Sequence, residues 1–360
     1  MSILTLLLFI IMLTAIISIH EFGHYIACKI FGVYVTEFSI GMGNAIYQKK
    51  GKETTFSIRM LPIGGYCAMV DTNENILESD IGVDVSKIPF ERTICGIARW
   101  KRLVIQIAGI VMNLILALLI VSMTYLSIGQ AAKSPLPIIA TVTENSPAQQ
   151  AGLMSEDKII YIELDNGYSI KPDKFGDISD FLLLYESGDI HLTIDRKGDT
   201  KNIDVTPIYN DETDSYIMGI TSHEYSIEKI NIINCFVYGF DYLVTMTKLI
   251  FTTLIGLFRG VGLNNLSGPV GIYNATSQAV SLGFESYILL IGVLSLNIGI
   301  FNLLPIPALD GGRMVLTLIE MIIRRPIPKK FENLIMTLSV FLFIMLLVFA
   351  TYQDLLKYVF

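Results

Sequence analysis

The sequence predicts a polytopic α-helical membrane protein with four transmembrane helices and an inserted extracytoplasmic α+β domain. The first observation is composition: of 360 residues, 52% are hydrophobic and 16% are charged, which is outside the usual range of soluble globular proteins. The second is that long apolar stretches alternate with charged connections. This composition excludes a disordered chain and a collagen-like fibre, and the net charge of -7 excludes a charge-driven nucleic-acid binder.

Four stretches are long and apolar enough to cross a bilayer, which takes about 20 residues for a hydrocarbon core of ~30 Å. They lie at 3–19, 103–128, 287–309 and 334–351. The first is predicted to be retained, because it lacks the basic start and the small-residue cleavage site of a signal peptide. The predicted parts are a membrane part at 1–131, an inserted domain at 132–228, a membrane-surface connection at 229–286 and a second membrane part at 287–360.

The charges of the connections predict the orientation. The connection 29–102 carries 10 Lys/Arg, and the link between the last two spans adds Arg324, Arg325, Lys329 and Lys330. By the positive-inside rule both lie in the cytoplasm, so the N-terminus, the insert and the C-terminus face outward. The insert itself is acidic, with 7 Lys/Arg against 18 Asp/Glu and hence a balance of -11.

A fifth apolar stretch, at 230–257, is interrupted by Asp241 and Lys248. If this stretch crossed the membrane, the basic link between the last two spans would face outward, against the positive-inside rule. We therefore expect an amphipathic helix that lies on the outer membrane surface.

A cluster of ionisable residues directly follows the first predicted span. His20, Glu21 and His24 form the pattern HExxH. On a helix, residues i and i+4 share one face, so both imidazoles can bind one metal ion while Glu21 lies beside them. The chain has only 4 His, and a charged group at membrane depth costs roughly 2.5–3.5 kcal/mol. A metal site explains the pattern better than two histidines that lie at a helix end by chance.

A catalytic zinc site has three protein ligands and an open fourth position, so one more ligand is needed. Cys28 and Asp310 are the candidates. Cys28 shares a helix face with His24 but requires the helix to curl around the metal, whereas Asp310 follows a Pro-rich segment and can turn inward from another element. The residues alone leave both open, because Cys28 also suits a core position and Asp310 a helix N-cap.

Five segments together resemble the site-2 protease family of intramembrane zinc metalloproteases, specifically its bacterial regulators of sigma-factor signalling. They are HEFGH at 20–24, PIGGY at 62–66, AGIVMN at 108–113, SGPVGI at 267–272 and NLLPIPALDGG at 302–312. The resemblance extends over nearly the whole chain. It departs from the family at Ile110, where Pro is usual.

The resemblance implies one Zn2+ per chain, held by His20, His24 and Asp310, with Glu21 as the catalytic base that activates water. It implies an intramembrane zinc endopeptidase in a bacterial cell membrane, with its active site near the cytoplasmic side. The expected substrate is a single-span membrane protein, as in regulated intramembrane proteolysis. Leader-peptide remnants, anti-sigma factors and division proteins are all compatible with it.

A transmembrane helix resists proteolysis because its carbonyls are hydrogen-bonded internally, so the enzyme has to hold an unwound, extended stretch. Alternating residues at 54–61 predict a hairpin strand that breaks at Pro62 and at Gly64 and Gly65. We expect this hairpin to pair with the substrate; a hairpin that only packs the helices is the alternative. Asn302 is a candidate to bind the substrate backbone or to join helices, and Asn113 is a weaker one.

The insert resembles a PDZ domain. The segment SPAQQAGLMSEDKI at 146–159 is similar to the core motif of that domain, with Glu156 where Gly is usual. Strands at 190–195 and 201–207, around the turn 197–199, fit its final hairpin. The resemblance implies either a filter that excludes substrates with bulky outer domains or a receptor for peptide ends.

Two other functions are compatible with parts of the sequence. A non-catalytic membrane scaffold could use the PDZ-like domain alone, but the presence of the three proposed ligands and the base argues against it. A metal transporter could place His and Asp in its spans, but the sequence has no inverted repeat of broken helices. The expected partners are a single-span membrane protein and membrane lipid, with no nucleic acid, and the sequence indicates no oligomeric state.

Overall fold

The computed structural model describes residues 3–71, 87–165, 167–182, 185, 188–210, 215–258 and 268–358. The helices there are α1 (Ile3–Phe31), α2 (Arg99–Ile128), α3 (Pro147–Gln150), α4 (Phe175–Leu182), α5 (Asn234–Phe258), α6 (Pro269–Leu282), α7 (Phe284–Leu303), α8 (Asp310–Ile323) and α9 (Lys329–Tyr358). The strands are β1 (Val35–Lys50), β2 (Thr55–Met69), β3 (Gln130–Lys133), β4 (Ile139–Val142), β5 (Lys158–Leu164), β6 (Ser169–Ile170), β7 (Ile190–Arg196), β8 (Asp199–Val205), β9 (Ile208–Asn210), β10 (Ser215–Ile217), β11 (Ile220–Ser222) and β12 (Ser226–Lys229).

These elements form two compact units. The membrane unit comprises Met1–Thr124, Cys235–Ile250 and Gly262–Phe360, and the insert unit comprises Tyr125–Asn234 and Phe251–Val261. Within the described residues, four helices are long and apolar enough to cross a bilayer: Ile3–Phe31, Arg99–Ile128, Phe284–Leu303 and Lys330–Lys357. Large apolar side chains such as Leu7, Leu119 and Phe341 are exposed on them, as a lipid-facing surface requires. The chain is thus a membrane protein with four candidate spans, at the places that the sequence predicts. Helix α5, which covers most of the predicted surface stretch, is not among the four.

The third predicted span ends earlier than the sequence indicates. The apolar stretch to 309 predicts one helix, but α7 ends at Leu303 and Leu304 is extended, with φ -61° and ψ 145°. Pro305 and Pro307 explain the difference, because proline has no N–H to donate and disfavours helix at the residue before it. The chain starts a new helix, α8, at Asp310. Asp310 therefore opens α8 and lies beyond the end of the third span.

The strands β1 and β2 form a longer and more folded hairpin than the sequence predicts. The predicted break at Pro62 is wrong, because β2 continues to Met69. Residues 37–40 pair with 55–58 on one side and 65–68 on the other, and 45–50 pair with 55–59. Gly64 allows the strand to bend, because its φ of +83° lies in the left-handed region that favours glycine. The hairpin is a small sheet, and one of its edges is the segment 65–69, which we call the inner edge.

A buried carboxylate joins the segments of this sheet. Glu37 is 2% exposed and accepts hydrogen bonds from Arg59, Tyr66 and Ser57, which lie on both of its neighbouring segments. Burial and the bond to Glu37 raise the pKa of Tyr66 above its usual value. Because a buried charge is tolerated only when it is paired and hydrogen-bonded, this cluster favours a single register for the sheet.

The insert unit is built on the antiparallel sheet β6-β5-β7-β8, with the two-stranded pairs β3–β12, β4–β11 and β9–β10. Its core consists of apolar side chains from the strands and from α3 and α4, including Ile139, Ile159, Ile178, Leu192 and Ile194. The hairpin predicted at 190–195 and 201–207 is confirmed as β7–β8. Its turn residues Lys197 and Gly198 have φ values of 56° and 94°, as a tight two-residue turn requires.

Two neighbouring acidic residues of the insert unit, Glu156 and Asp157, have unusual environments. Glu156, which stands where a PDZ motif usually has Gly, has a φ of 70°, so this position favours glycine for a conformational reason. Asp157 is fully buried and receives a hydrogen bond of 2.7 Å from Arg196. Burial by itself raises the pKa of Asp157, but the hydrogen bonds from Arg196 and from the Met154 N–H hold it below its usual value.

Candidate metal centre

Two side chains of α1 and one from a distant part of the sequence meet inside the membrane unit. The Nε2 atoms of His20 and His24, one turn apart on α1, are 3.2 Å from each other. Asp310, the first residue of α8, places Oδ2 at 2.9 Å from Nε2 of His20 and 3.2 Å from Nε2 of His24. Among the described residues these three form a group whose donor atoms all converge within reach of one metal ion. The side chains of both histidines are less than a tenth exposed.

Helix α2 holds the opposite side of both imidazole rings. Nδ1 of His24 is 2.8 Å from the backbone oxygen of Ile105, which can only accept a hydrogen bond. Nδ1 of His24 therefore carries a proton, and when the ring is neutral its Nε2 presents a lone pair to the other two residues. Nδ1 of His20 lies 3.3 Å from the side-chain amide of Asn113.

A glycine allows α2 to approach this closely. A Cβ at Gly109 would lie 2.5 Å from Nε2 of His24 and 2.8 Å from Nε2 of His20. A Cβ at Gly23 would likewise lie 2.4 Å from the backbone oxygen of Ala108. Since real Cβ atoms do not approach other atoms so closely, the contact of α1 with α2 at the centre depends on both glycines.

The position of Asp310 is fixed by the two glycines that follow it and by α2. A Cβ at Gly311 would lie 2.3 Å from the backbone oxygen of Leu303, and one at Gly312 would lie 2.3 Å from the carbonyl of Ile306. Further along α8, Glu320 accepts a hydrogen bond of 2.9 Å from Arg102, and Thr317 contacts Gln106. The start of α8 is thereby held against the turn that precedes it, and its body is held against α2.

The donor set fits a zinc ion. Ligand atoms at about 2.0–2.2 Å from one tetrahedral ion lie roughly 3.3 Å from each other, close to the separations found here. When the ring of His24 is neutral, the lone pair on its Nε2 faces a carboxylate oxygen and a second ring nitrogen, which is repulsive. A metal ion bound to the three atoms removes this repulsion. Two neutral imidazoles and one carboxylate are also the donors that zinc accepts in hydrolytic enzymes.

Glu21 lies beside these three residues but is held by a different element. Its Oε2 accepts a hydrogen bond of 3.0 Å from the backbone N–H of Cys67, on the inner edge of the hairpin sheet. The carboxylate is therefore placed between the helix that carries the histidines and a strand edge. This arrangement suits a base that acts on a water next to an extended peptide.

The other candidate residues from the sequence lie outside the converging group of donor atoms. Cys28 is fully buried in an apolar cluster with Phe38, Cys67 and Ile105 and is not part of the converging group. Gly65 lies on the inner edge, where a Cβ would be 2.6 Å from the Ser39 oxygen, and Gly64 occupies the bend before it. Asn302 is in the last turn of α7 and is partly exposed.

Sequence reasoning missed the contribution of α2 to the centre. Ile105, Gly109 and Asn113 contact or make room for the histidine rings, and they are spaced four residues apart on one helix face. The only available signal was the segment AGIVMN at 108–113, which contains two of them. A backbone oxygen such as that of Ile105 has no signature in a sequence.

Comparison with known proteins gives a family match over nearly the whole chain. The profile described as Peptidase family M50 matches residues 8–346. Three similar relatives carry the name "putative zinc metalloprotease". The one from Clostridium acetobutylicum is 34% identical over 98% of both chains, the one from Clostridium perfringens 32% identical over 95% of both, and the one from Staphylococcus aureus 28% identical over 98% of both.

Proposed function

The chain belongs to peptidase family M50, the site-2 protease family, and is a zinc metalloprotease of the membrane; on this premise we propose that His20, His24 and Asp310 bind the zinc and that Glu21 is the catalytic base. The convergence of the three donor atoms within 3.2 Å carries this proposal. A non-catalytic scaffold, the alternative from the sequence, is not favoured by the family or by the names of the relatives.

The chemistry follows from the positions of these side chains. Zinc at this site supplies Lewis acidity, which lowers the pKa of a water and polarises a peptide carbonyl. Glu21 takes the proton of the attacking water and passes it to the leaving amine, so no covalent intermediate with the protein is required. The hydrogen bond from the Cys67 N–H orients the Glu21 carboxylate for both transfers.

We further propose that the substrate binds as an added strand along the inner edge, next to Glu21. The inner edge is a sheet edge, and extended peptides pair with such edges through backbone hydrogen bonds. Gly65 lies at its start and Gly64 lies in the bend before it, and neither residue adds a side chain there. Exposed apolar side chains of the sheet, such as Ile58, Met60 and Leu61, suit a location in contact with lipid. A single-span membrane protein with an unwound segment is the substrate class that fits.

Asn302 is proposed to bind the backbone of the same substrate. It lies in the last turn of α7, directly before the extended segment that leads to Asp310. A side-chain amide can both donate to and accept from a peptide backbone, which suits a site for extended chains.

The proposed topology follows the charges of the connections. The basic connections at 29–102 and 324–330 lie in the cytoplasm of a bacterial cell, and the N-terminus, the insert unit and the C-terminus lie outside. Helix α5 lies on the outer surface. The insert unit is PDZ-like and limits access of substrates with bulky outer domains, so that cleavage follows their removal, as in regulated intramembrane proteolysis of anti-sigma factors or signal-peptide remnants.

Replacement of the base tests the mechanism. Glu21→Gln keeps the shape of the side chain but cannot take a proton, so we expect cleavage of a model single-span substrate in liposomes to fall by about 10²–10⁴-fold. The zinc content should stay at one ion per chain. Glu91→Gln, which changes an exposed glutamate of the connection 29–102, is the control and should cleave at the wild-type rate. Undiminished cleavage by Glu21→Gln would exclude Glu21 as the base.

A further inference from the structure

Asn113 has no role in the proposed catalysis, yet it contacts a proposed zinc ligand. We propose that Asn113 is a positioning residue of the metal centre: its amide oxygen accepts a hydrogen bond from the Nδ1–H of His20 and so leaves Nε2 of that ring for the metal. This inference rests on the proposed ligand set. It adds a residue, and a direction for its hydrogen bond, that the ligand set does not contain.

The buried position of Asn113 requires hydrogen-bond partners for its side-chain amide. The residue is fully buried in the middle of α2. A side-chain amide in such a place is unfavourable unless its polar atoms are hydrogen-bonded. Its backbone oxygen is satisfied by Ser295 on α7, whose Oγ donates to it at 2.9 Å. The side-chain amide therefore needs a separate hydrogen-bond partner.

In its present orientation, the side-chain amide of Asn113 does not give its oxygen a hydrogen-bond donor. Nδ2 lies 3.3 Å from Nδ1 of His20, and Oδ1 has no hydrogen-bond partner among the described residues. The two ends of an amide exchange places by a half-turn about the bond that carries it. After that rotation, Oδ1 faces Nδ1 of His20, and the orphaned acceptor has a donor.

The chemistry of metal binding selects the rotated form. Nε2 of His20 is the ring atom that faces Asp310 and His24, so it has to be free of a proton when a metal binds. A neutral imidazole then carries its proton on Nδ1, where it needs an acceptor. The amide oxygen of Asn113 is such an acceptor, whereas its NH2 group would place a donor against a donor. Ligating histidines almost always have an acceptor of this kind on their second nitrogen.

Helix α2 also supplies a hydrogen-bond acceptor for the Nδ1–H of His24. There the acceptor is the backbone oxygen of Ile105, at 2.8 Å from Nδ1. Ile105 and Asn113 are eight residues apart, so they lie on one face of α2, with Gly109 between them facing both rings. One face of α2 therefore fixes the tautomer of both histidines.

The burial of Asn113 also argues against a contact with the substrate backbone, one of the two roles that the sequence suggested for it. A residue with no exposed surface cannot hydrogen-bond the backbone of a substrate. Its effect on the reaction is therefore expected to act through His20. This gives a measurable distinction, because metal affinity can be determined without any substrate.

Zinc affinity of the purified full-length chain in detergent, measured by competition with a chromophoric chelator, tests this inference. Asn113→Leu has a similar volume and no acceptor, and we expect its zinc affinity to fall by about 10- to 100-fold. Asn113→Asp restores an acceptor and has no donor, so its affinity should stay within a few-fold of wild type or be tighter. Ser122→Ala is the matched control, because Ser122 is a fully buried polar residue of the same helix whose Oγ has no partner among the described residues. Its affinity should be unchanged.

The outcomes separate this inference from the proposed ligand set. Wild-type affinity in Asn113→Leu, or an equal loss in Asn113→Leu and Asn113→Asp, would overturn the inferred acceptor while the ligand set stands. Absence of zinc binding by the wild-type chain would overturn the ligand set itself. Thermal unfolding of the metal-free variants shows whether Asn113→Leu folds. If it does not fold, the zinc affinity of Asn113→Asp alone tests the inference, because a donor role for the amide predicts a loss of zinc affinity in that variant.

Discussion

All four histidines of the chain contact carboxylates, but the two units hold them differently. In the membrane unit, the Nε2 atoms of His20 and His24 share the Asp310 carboxylate, while α2 engages their Nδ1 atoms. In the insert unit, His191 gives Nδ1 to Asp204 at 2.7 Å and Nε2 to Asp165 at 2.9 Å. His223 has one carboxylate contact, to Glu156. Contact with an acidic residue is thus common to all four and does not by itself indicate a metal.

What separates the two arrangements is the nitrogen that remains for a metal. Both ring nitrogens of His191 face carboxylates, which favours the imidazolium form, and its side chain is 47% exposed. In the membrane unit, a neutral backbone acceptor holds one ring nitrogen of His24, so the other presents a lone pair toward the common centre. Lone pairs that converge in a buried place suit a bound metal ion, whereas an exposed ion pair is complete without one.

The largest effect is expected from removing the shared carboxylate. Asp310→Ala leaves two nitrogen ligands on one helix, so we expect zinc affinity to fall by more than the roughly 100-fold that loss of an outer hydrogen bond causes. Proteolysis of a single-span substrate should be lost with the metal. The measurement is the zinc content of the purified full-length variant after dialysis.

Cys28→Ala is the comparison for this experiment, because the sequence also allowed Cys28 as the third ligand. The structure places Cys28 in an apolar cluster, so its variant should keep a full complement of zinc. Zinc loss in Cys28→Ala together with zinc retention in Asp310→Ala would reverse the assignment of the ligand.

A smaller effect is expected from closing the space between α2 and the rings. In Gly109→Ala the new methyl group meets both imidazoles, so the helices have to separate. We expect a loss of stability of about 1–3 kcal/mol, as for other overpacked sites. Zinc affinity should fall by about 10- to 100-fold, because the Nδ1 acceptors move away from the rings together with α2.

Gly299→Ala is its matched control. Gly299 lies on α7, and a Cβ there would have its nearest contact at 3.4 Å, which is an ordinary van der Waals distance. Its zinc affinity and unfolding temperature should stay close to wild type. Equal behaviour of the two variants would show that the close approach of α2 at Gly109 is not what orients the histidines.

The parts of this centre differ in how well a sequence can predict them. The pairing of His20 with His24 follows from helix geometry, which acts over four residues and needs no knowledge of the fold. The break before Asp310 follows from two prolines. Asn113 and the oxygen of Ile105 are 93 and 81 residues away from the rings that they contact, within a mostly apolar helix. Only the packing of α2 on α1 reveals their contacts with the rings.

The hairpin sheet is a second case in which the sequence alone does not predict the structure. Alternation at 54–61 correctly predicts a strand, but the rule that Pro and Gly end strands fails at 62–65. There the strand bends at Gly64 and then pairs with the opposite side of β1, so that tertiary pairing overrides a local breaker. The inner edge beside Glu21 exists because of this second pairing.

The smallest effect is expected from His191, and its sign distinguishes an ion pair from a metal site. The hydrogen bonds with Asp204 on β8 and with Asp165, directly after β5, raise the pKa of His191 in the folded chain above the ordinary value of 6.5. The stabilisation is therefore complete below pH 6.5 and is lost as the pH rises through the raised pKa. We expect His191→Gln, measured by thermal unfolding of the zinc-free chain, to be destabilised relative to wild type at pH 6 and to approach it at pH 9. Thr193→Val, which removes an uncharged contact with Asn202 between the same strands, should differ from wild type equally at both pH values. A difference for His191→Gln that stays constant or grows with pH would mean that the neutral imidazole is the bound form, and the distinction between the two histidine arrangements would then fail.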